Sequence, residues 1–368
     1  MPPSPDSALH THIGHAIAQA GGWIGFDRFM EMALYTPGLG YYARESVKFG
    51  ALPGPGGSDF VTAPEISPLF GYALAQQVAQ ALADSGCDEV WEFGAGSGAL
   101  AAQLLQALDE MGVALRRYTI MELSATLQQR QQTRLAPWAE RVHWAQAWPE
   151  KIEGVVLGNE VLDAMPVQLL VRTAGQWHER GVALQGGAPG DFVWQDRPSA
   201  LRPPIEPEGA HDYLTEIHPQ AHAFVRSLAE RLVRGSAFLI DYGFGQDEYY
   251  HPQRAMGTLM CHFAHQSDTH PLVRVGEKDI TAHVNFTGIA LAAQEAGLQV
   301  LGYTSQAHFL MNCGIVDLMQ AAALPVRVAA QTLILEHEMG ELFKVIALGT
   351  DAEWAPLGFT RGDRSHRL

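Results

Sequence analysis

From Glu89 onward, short apolar runs alternate with amphipathic stretches. Val90-Trp91-Glu92-Phe93 reads as a strand, followed by a glycine turn and a helix reaching Met111. Further strands are expected at Arg117–Leu123, Val142–Trp144, Gly154–Asn159 and Ser236–Asp241, with helices at Leu127–Leu135 and Ala221–Val233. Near the end, Gln299–Thr304 and Leu342–Leu348 read as strands around a helical stretch. Strands that alternate with helices predict an α/β fold, a mostly parallel sheet with helices on both faces. Upstream, residues 9–34 read as helical with a break at Gly21-Gly22, Asp27 suits a helix cap, and another helix spans about Leu69–Ala83. Residues 166–215 are polar and rich in Gly and Pro, with short strands such as Val167–Val171, and residues 242–285 hold many Tyr, His and Gly. Both insertions fall beside strand ends, where open α/β sheets bind ligands. The expected organisation is an N-terminal helical cap at 1–75 and a main domain at 76–368, with insertions at about 166–215 and 242–285 forming a lid. The Gly/Pro-rich run 50–58 reads as a mobile loop.

Composition narrows the field. The 368 residues are 47% hydrophobic and 17% charged, enough for a sizeable core and incompatible with global disorder. A formal net charge of −16 repels a phosphate backbone, and Arg116-Arg117 is the one adjacent basic pair, so nucleic acid is not expected as a partner. The three cysteines, Cys87, Cys261 and Cys313, are too widely spaced for a disulfide framework or a Cys-x-x-Cys zinc site, which suits a reducing compartment. No apolar run reaches the ~18 residues of a membrane span. Residues 1–6 resemble neither a secretory signal nor an Arg-rich transit peptide. The expectation is a cytoplasmic protein without membrane insertion, and a processed mitochondrial matrix form would look the same.

The strongest local chemistry is Glu92-Phe93-Gly94-Ala95-Gly96-Ser97-Gly98-Ala99. Glycines let the backbone turn sharply and approach a ligand, and the helix that follows offers unpaired N–H groups. By itself the run also satisfies a permissive dinucleotide fingerprint through Gly94, Gly96 and Ala99. Glu92 separates the two ligands, because a carboxylate there repels a pyrophosphate and suits the amino group and sulfonium of S-adenosyl-L-methionine. Glu122, with Leu123 beside it, ends the next strand and suits ribose hydroxyls, which both ligands carry. It lies 122 − 94 = 28 residues past Gly94, later than the ~20 of a nicotinamide fold. Trp144, by the third strand end, is either an adenine-stacking face or a packed Trp.

Glu92-x-Gly94-x-Gly96-x-Gly98 resembles motif I of class I S-adenosylmethionine-dependent methyltransferases, with Glu122 in the position of their ribose-binding acid. FDRFMEMALYTPGLGYY (26–42), DFVTAPEISPLFG (59–71), GNEVLDAMPV (158–167), IDYGF (240–244) with EYYHPQR and GTLMCHFAH, and DITAHVNFT (279–287) resemble the MidA-like family over nearly the whole chain. That is the family of the mitochondrial complex I assembly methyltransferase and its bacterial homologues. The resemblance implies a Rossmann-like methyltransferase domain, a cofactor-covering role for the N-terminal cap, and S-adenosyl-L-methionine as cofactor. It also implies an arginine-bearing protein partner, by analogy a complex I subunit, and allows a homo-oligomer.

The loop after the fourth strand, Asn159–Pro166, faces the transferred methyl group in this fold. Methyl transfer to a guanidinium needs alignment and a group that localises a lone pair or accepts a proton. Glu160 and Asp163, spaced i, i+3, face one side if a helix opens there, and are the expected catalytic, substrate-orienting carboxylates. Asn159 shapes the pocket and counts with the cofactor set. The alternatives are a helix cap for Asp163, and a capping or cofactor-amine role for Glu160. Asp241 either reaches the acceptor or braces a loop. Thr62 and Glu65, with Ser67, either cover the cofactor or cap a helix. His265, His283 and Asn285 are pocket candidates, His283 equally a satisfied buried histidine. Cys261-His262-x-x-His265 has a spacing a metal can use, but displacement at a sulfonium needs no Lewis acid, and no metal is expected. A nicotinamide-dependent oxidoreductase and a non-catalytic assembly factor that keeps the cofactor fold are the competing functions.

Overall fold

The computed structural model describes residues 8–43, 62–186, 190–264 and 266–368. The chain divides into two compact units. One comprises residues 1–48, 163–221 and 244–285, the other residues 49–162, 222–243 and 286–368.

The second unit carries the parallel sheet. Its first long helix, α1 (Leu69–Ser85), repeats apolar residues at Phe70, Leu74 and Val78 and stops at Gly86, which takes the left-handed conformation that favours glycine. There follow β1 (Glu89–Phe93), α2 (Ala99–Glu110), β2 (Arg117–Met121), α3 (Ala125–Arg134), β3 (Val142–Ala145) and β4 (Ile152–Asn159). After the long insertion come α4 (Pro219–Arg231), β5 (Leu232–Phe244), α5 (Phe286–Glu295), β6 (Gln299–Ser305) and β7 (Phe343–Gly349). The strand order is β3-β2-β1-β4-β5-β7-β6. β1 to β5 pair in parallel, and β7 runs antiparallel to both β5 and β6.

Alternation along β1 explains the two covered faces. Val90 joins α1 and α2 in the main apolar cluster with Tyr118 and Ile120. On the other side Phe93 packs against Trp148 and Phe224 of α4. A parallel sheet must be covered twice, and its strands are accordingly apolar on both faces. The strand order reverses between β1 and β4, so the loops at their carboxyl ends open the crevice in which such sheets bind ligands.

The other unit departs from the expectation of a polar, loop-rich insertion. Gln168–Thr173, Gln176–Leu184, Phe192–Pro198 and Tyr213–Ile217 form, with Trp23–Gly25, a five-stranded sheet whose pairings are antiparallel. Arg172 is buried between Trp177 and Tyr213 and paired with Glu206. Helices Ala8–Gln19 and Phe26–Tyr35 pack Leu9, Ile13, Phe26 and Phe29 onto Val182 and Phe192. Asp27 is not the cap of the second helix. Gly25 holds that position and Asp27 lies in the first turn. Met260–Phe263, Gln266–Asp268 and Asp279–Thr281 make a small antiparallel sheet. Among the described residues no helix is long and apolar enough to cross a membrane.

Candidate active site

The turn after β1 is built on three left-handed glycines, Gly94 (φ 67°), Gly96 (φ 52°) and Gly98 (φ 80°). At Gly94 a Cβ would lie 2.8 Å from Val161 Cγ2, so only glycine lets this turn approach the loop after β4. Glu92, two residues upstream, is 2% exposed and accepts a 2.6 Å hydrogen bond from Tyr118 Oη of β2. Burial raises its pKa, the Tyr118 hydroxyl opposes this, and the nearby Glu122 charge adds to it, leaving it at about 7. Such a carboxylate gains from a positive charge brought by a ligand.

Its pH linkage has a definite sign. Folded Glu92 keeps a proton that the unfolded chain loses from 4.5 upward, so its contribution to stability is complete below 4.5 and disappears as pH rises through about 7. The wild-type protein is therefore expected to lose on the order of 3 kcal/mol of unfolding free energy over that interval relative to Glu92→Gln. Urea titrations of both proteins at pH 5 and pH 8 check this, and equal slopes would remove the buried acid from the account.

Glu122, just past β2, is also buried. Its Oε1 accepts from Ser124 N at 2.8 Å and its Oε2 from Gln131 Nε2 at 3.0 Å. Burial raises its pKa against these bonds. The Leu123 N–H is a third donor to it, so of the about four acceptor positions of an ionised carboxylate roughly one remains for a hydroxyl donor. Leu123 lies beyond the strand at 77% exposure, an open apolar surface beside the acid.

Trp144 of β3 turns its indole N–H to Gln131 Oε1 at 2.9 Å, so one edge of the ring is fixed from within the protein. Gln131 was missed in the sequence. It is wholly buried, and its Nε2 also donates to Gly96 O at 2.9 Å. The available signal was its place between Leu127 and Leu135 at i, i+4, i+8, a polar residue on the buried stripe of a largely polar helix.

Glu65 lies in the short helix Ala63–Ile66. Its Oε1 accepts from Ser97 Oγ in the glycine turn and, at 2.9 Å, from Arg134 Nη1, which also donates to Ser97 Oγ at 2.7 Å. Glu65 thus ties its segment to the glycine turn. Thr62 holds the N-cap position of the same helix without a side-chain capping bond. The expected mobile loop at 50–58 and the pocket candidate His265 lie outside the described residues.

The loop after β4 is not the opening of a helix, which removes the i, i+3 argument for Glu160 and Asp163. Glu160 has φ 54°, a left-handed conformation unusual for a non-glycine residue. Its N–H donates to Ile240 O at 2.8 Å, and the next two N–H groups, of Val161 and Leu162, donate to Asp241 Oδ2 at 3.1 and 2.9 Å. Those donors tie the loop to β5. Asp241 is fully buried and braces this loop. Asn159 Nδ2 donates to Glu160 Oε1 at 3.0 Å, while Asn159 Oδ1 is a buried acceptor without a partner among the described residues.

Asp163, His283 and Asn285 belong to the other unit. Asp163 O accepts from Ala282 N, His283 stacks on Phe244 with ring centroids 5.2 Å apart, and Asn285 is buried. Among the described residues no three His, Cys, Asp or Glu side chains gather as metal ligands.

A left-handed glycine turn, a buried acid before it, a second acid with a lone pair still open and an Asn159 carbonyl oxygen with no partner among the described residues all meet at the switch point of the sheet. Together they fit a ligand that brings cationic and hydroxyl donors. Glu92, Glu122, Asn159 and the backbone of the glycine turn are the groups that would hold it. The fold is that of a class I S-adenosyl-L-methionine-dependent methyltransferase. The family model of S-adenosyl-L-methionine-dependent methyltransferases numbered 28 matches residues 73–304, and the chain belongs to that family. A superfamily member from Burkholderia thailandensis, crystallised bound to S-adenosyl-homocysteine, is 50% identical with a TM-score of 0.93, covering 99% of this chain and 97% of that one. A native crystal structure from Burkholderia thailandensis is 49% identical with a TM-score of 0.89, over 99% of this chain and 97% of that one. Among curated relatives, the mitochondrial protein arginine methyltransferase NDUFAF7 of Danio rerio is 28% identical over 96% of this chain and 89% of its own length. The cofactor is S-adenosyl-L-methionine, and the nicotinamide alternative falls.

Proposed function

We propose that this protein is a protein arginine N-methyltransferase that uses S-adenosyl-L-methionine to methylate an arginine of a partner protein. The observation that carries the reading is the likeness to the Danio rerio protein arginine methyltransferase along almost the entire chain. Resemblance points to a respiratory complex I-type subunit as acceptor. A net charge of −16 favours a cationic acceptor. The cofactor supplies a methyl carbon bonded to a sulfonium, open to displacement by a lone pair. The chain's task is to align a guanidinium nitrogen, whose lone pair is delocalised, and to take up its proton. In this reading Glu160 orients the guanidinium through charge-assisted hydrogen bonds. Glu160 has a physical argument of its own, since strained backbone held in place by surrounding hydrogen bonds concentrates at working sites.

Glu160→Gly separates fold from function. It relieves a conformation that costs an ordinary residue roughly 1 kcal/mol, so the melting temperature is expected to hold or rise, and S-adenosylhomocysteine affinity to stay within about threefold of wild type. Methyl transfer is expected to fall by about 100-fold, and equally in Glu160→Gln, which keeps the size and removes the charge. Full activity in Glu160→Gln would take the residue out of the reaction. The reading as a whole is tested by incubating lysate from a strain lacking this protein with the enzyme and methyl-labelled cofactor, then sequencing the labelled band by mass spectrometry. Methylarginine is expected, and label on lysine, nucleic acid or a small molecule would refute it.

A further inference from the structure

We propose that Gln131 is a positioning residue that sets the glycine turn and the Glu122 carboxylate at the separation the cofactor requires. The inference rests on the reading of Glu122 as the ribose-binding acid. Gln131 connects the loops after two adjacent strands to the strand beside them. Its Nε2 donates to Gly96 O after β1 and to Glu122 Oε2 after β2, and its Oε1 accepts from Trp144 Nε1 in β3. The orientation of the amide is unambiguous, because the indole nitrogen only donates and a carbonyl oxygen only accepts. No other neutral side chain of this size offers two donors and an acceptor in one plane.

The helix is placed to make this grip. Gly98 has no side chain, and a Cβ there would sit 3.4 Å from Gln131 Cγ. One turn further along α3, Arg134 donates to Ser97 Oγ, so two residues on one helix face hold consecutive residues of the turn. Without the amide, Gly96 O and Trp144 Nε1 lose a buried partner, and Glu122 loses the one side-chain donor among the groups that fix its carboxylate, the others being the Leu123 and Ser124 N–H groups. The residue touches none of the reacting atoms and acts through Glu122 and the turn.

The test is isothermal titration of S-adenosylhomocysteine into wild type, Gln131→Met, Glu122→Gln and the double variant. Each single variant is expected to bind about 30-fold more weakly, and the double variant no more weakly than the weaker single one, because both changes disable one unit. Multiplying losses in the double variant would overturn the proposal. So would normal binding by Gln131→Met when Glu122→Gln is impaired. Normal binding by Glu122→Gln would instead remove the ribose-acid reading and the proposal with it. Gln131→Glu guards against a variant that misfolds. Neutral at low pH, its carboxylic acid keeps one donor and one acceptor, whereas ionised it faces Glu122 as a like charge. Its affinity is expected to recover at least tenfold between pH 8 and pH 5.5 relative to wild type, and a pH-independent defect would count against positioning.

Discussion

Gly94→Ala is expected to weaken S-adenosylhomocysteine binding by about 100-fold while the protein remains folded. Two costs combine. The residue has φ 67°, where an L side chain costs roughly 1–2 kcal/mol, and its new Cβ would meet Val161 Cγ2 at 2.8 Å, adding an overpacking cost of about 1–3 kcal/mol. Both costs fall on the turn that the ligand must find in place, so the loss appears in affinity more than in global stability. The obstructing atom is named, which makes the prediction specific. Val161→Ala removes it and is expected to return about tenfold of the lost affinity in the Gly94→Ala background. Titration calorimetry on the two single variants and the double variant measures both steps. Wild-type affinity in Gly94→Ala would mean that the turn does not contact the cofactor, and the assignment of the whole crevice would have to be redone.

The parts of this crevice that were legible in sequence are those where a local rule decides the outcome. Short apolar runs between amphipathic helices foretold the parallel sheet, and the spacing of Gly94, Gly96 and Gly98 foretold a tight turn. An acid at Glu92 discriminates between ligands without any knowledge of its neighbours. What stayed hidden depends on which strand lies beside which. Tyr118 can serve Glu92 only because β2 pairs with β1. A helix opening at 160–163 is excluded by the left-handed Glu160 (φ 54°), a backbone state held by Ile240 and Asp241, about eighty residues away, which take the N–H groups of residues 160–162. Gln131 looks like one more polar residue in a polar helix until two loops and a strand are placed around it. The antiparallel sheet built from residues 168–217 was masked by its Gly/Pro-rich connections, which left the strand at 167–171 as the part of it named from sequence.

The same nonlocal hydrogen bonds make Asp241→Ala the substitution with the broadest expected effect. Asp241 Oδ2 holds the Val161 and Leu162 N–H groups, and Oδ1 holds the Tyr242 N–H at 2.9 Å. Removing the carboxylate strands donors in a fully buried position. At about 1–3 kcal/mol for each unsatisfied group, the loss is expected to reach about 4 kcal/mol and to lower the melting temperature by roughly 10 °C. Methyl transfer should fall further than Glu160→Gly alone achieves, by about 1000-fold, because the loop that carries Asn159 and Glu160 loses its geometry as a whole. Asp241→Asn offers little rescue, since its amide –NH2 must face a backbone N–H on one side or the other. The contrast with an acceptor-binding acid is direct. A side chain that only touched the incoming arginine would, when truncated, leave thermal stability intact or improved, since an unpaired buried charge would be gone. A melting temperature unchanged in Asp241→Ala, with activity lost, would move this residue from the brace to the acceptor pocket.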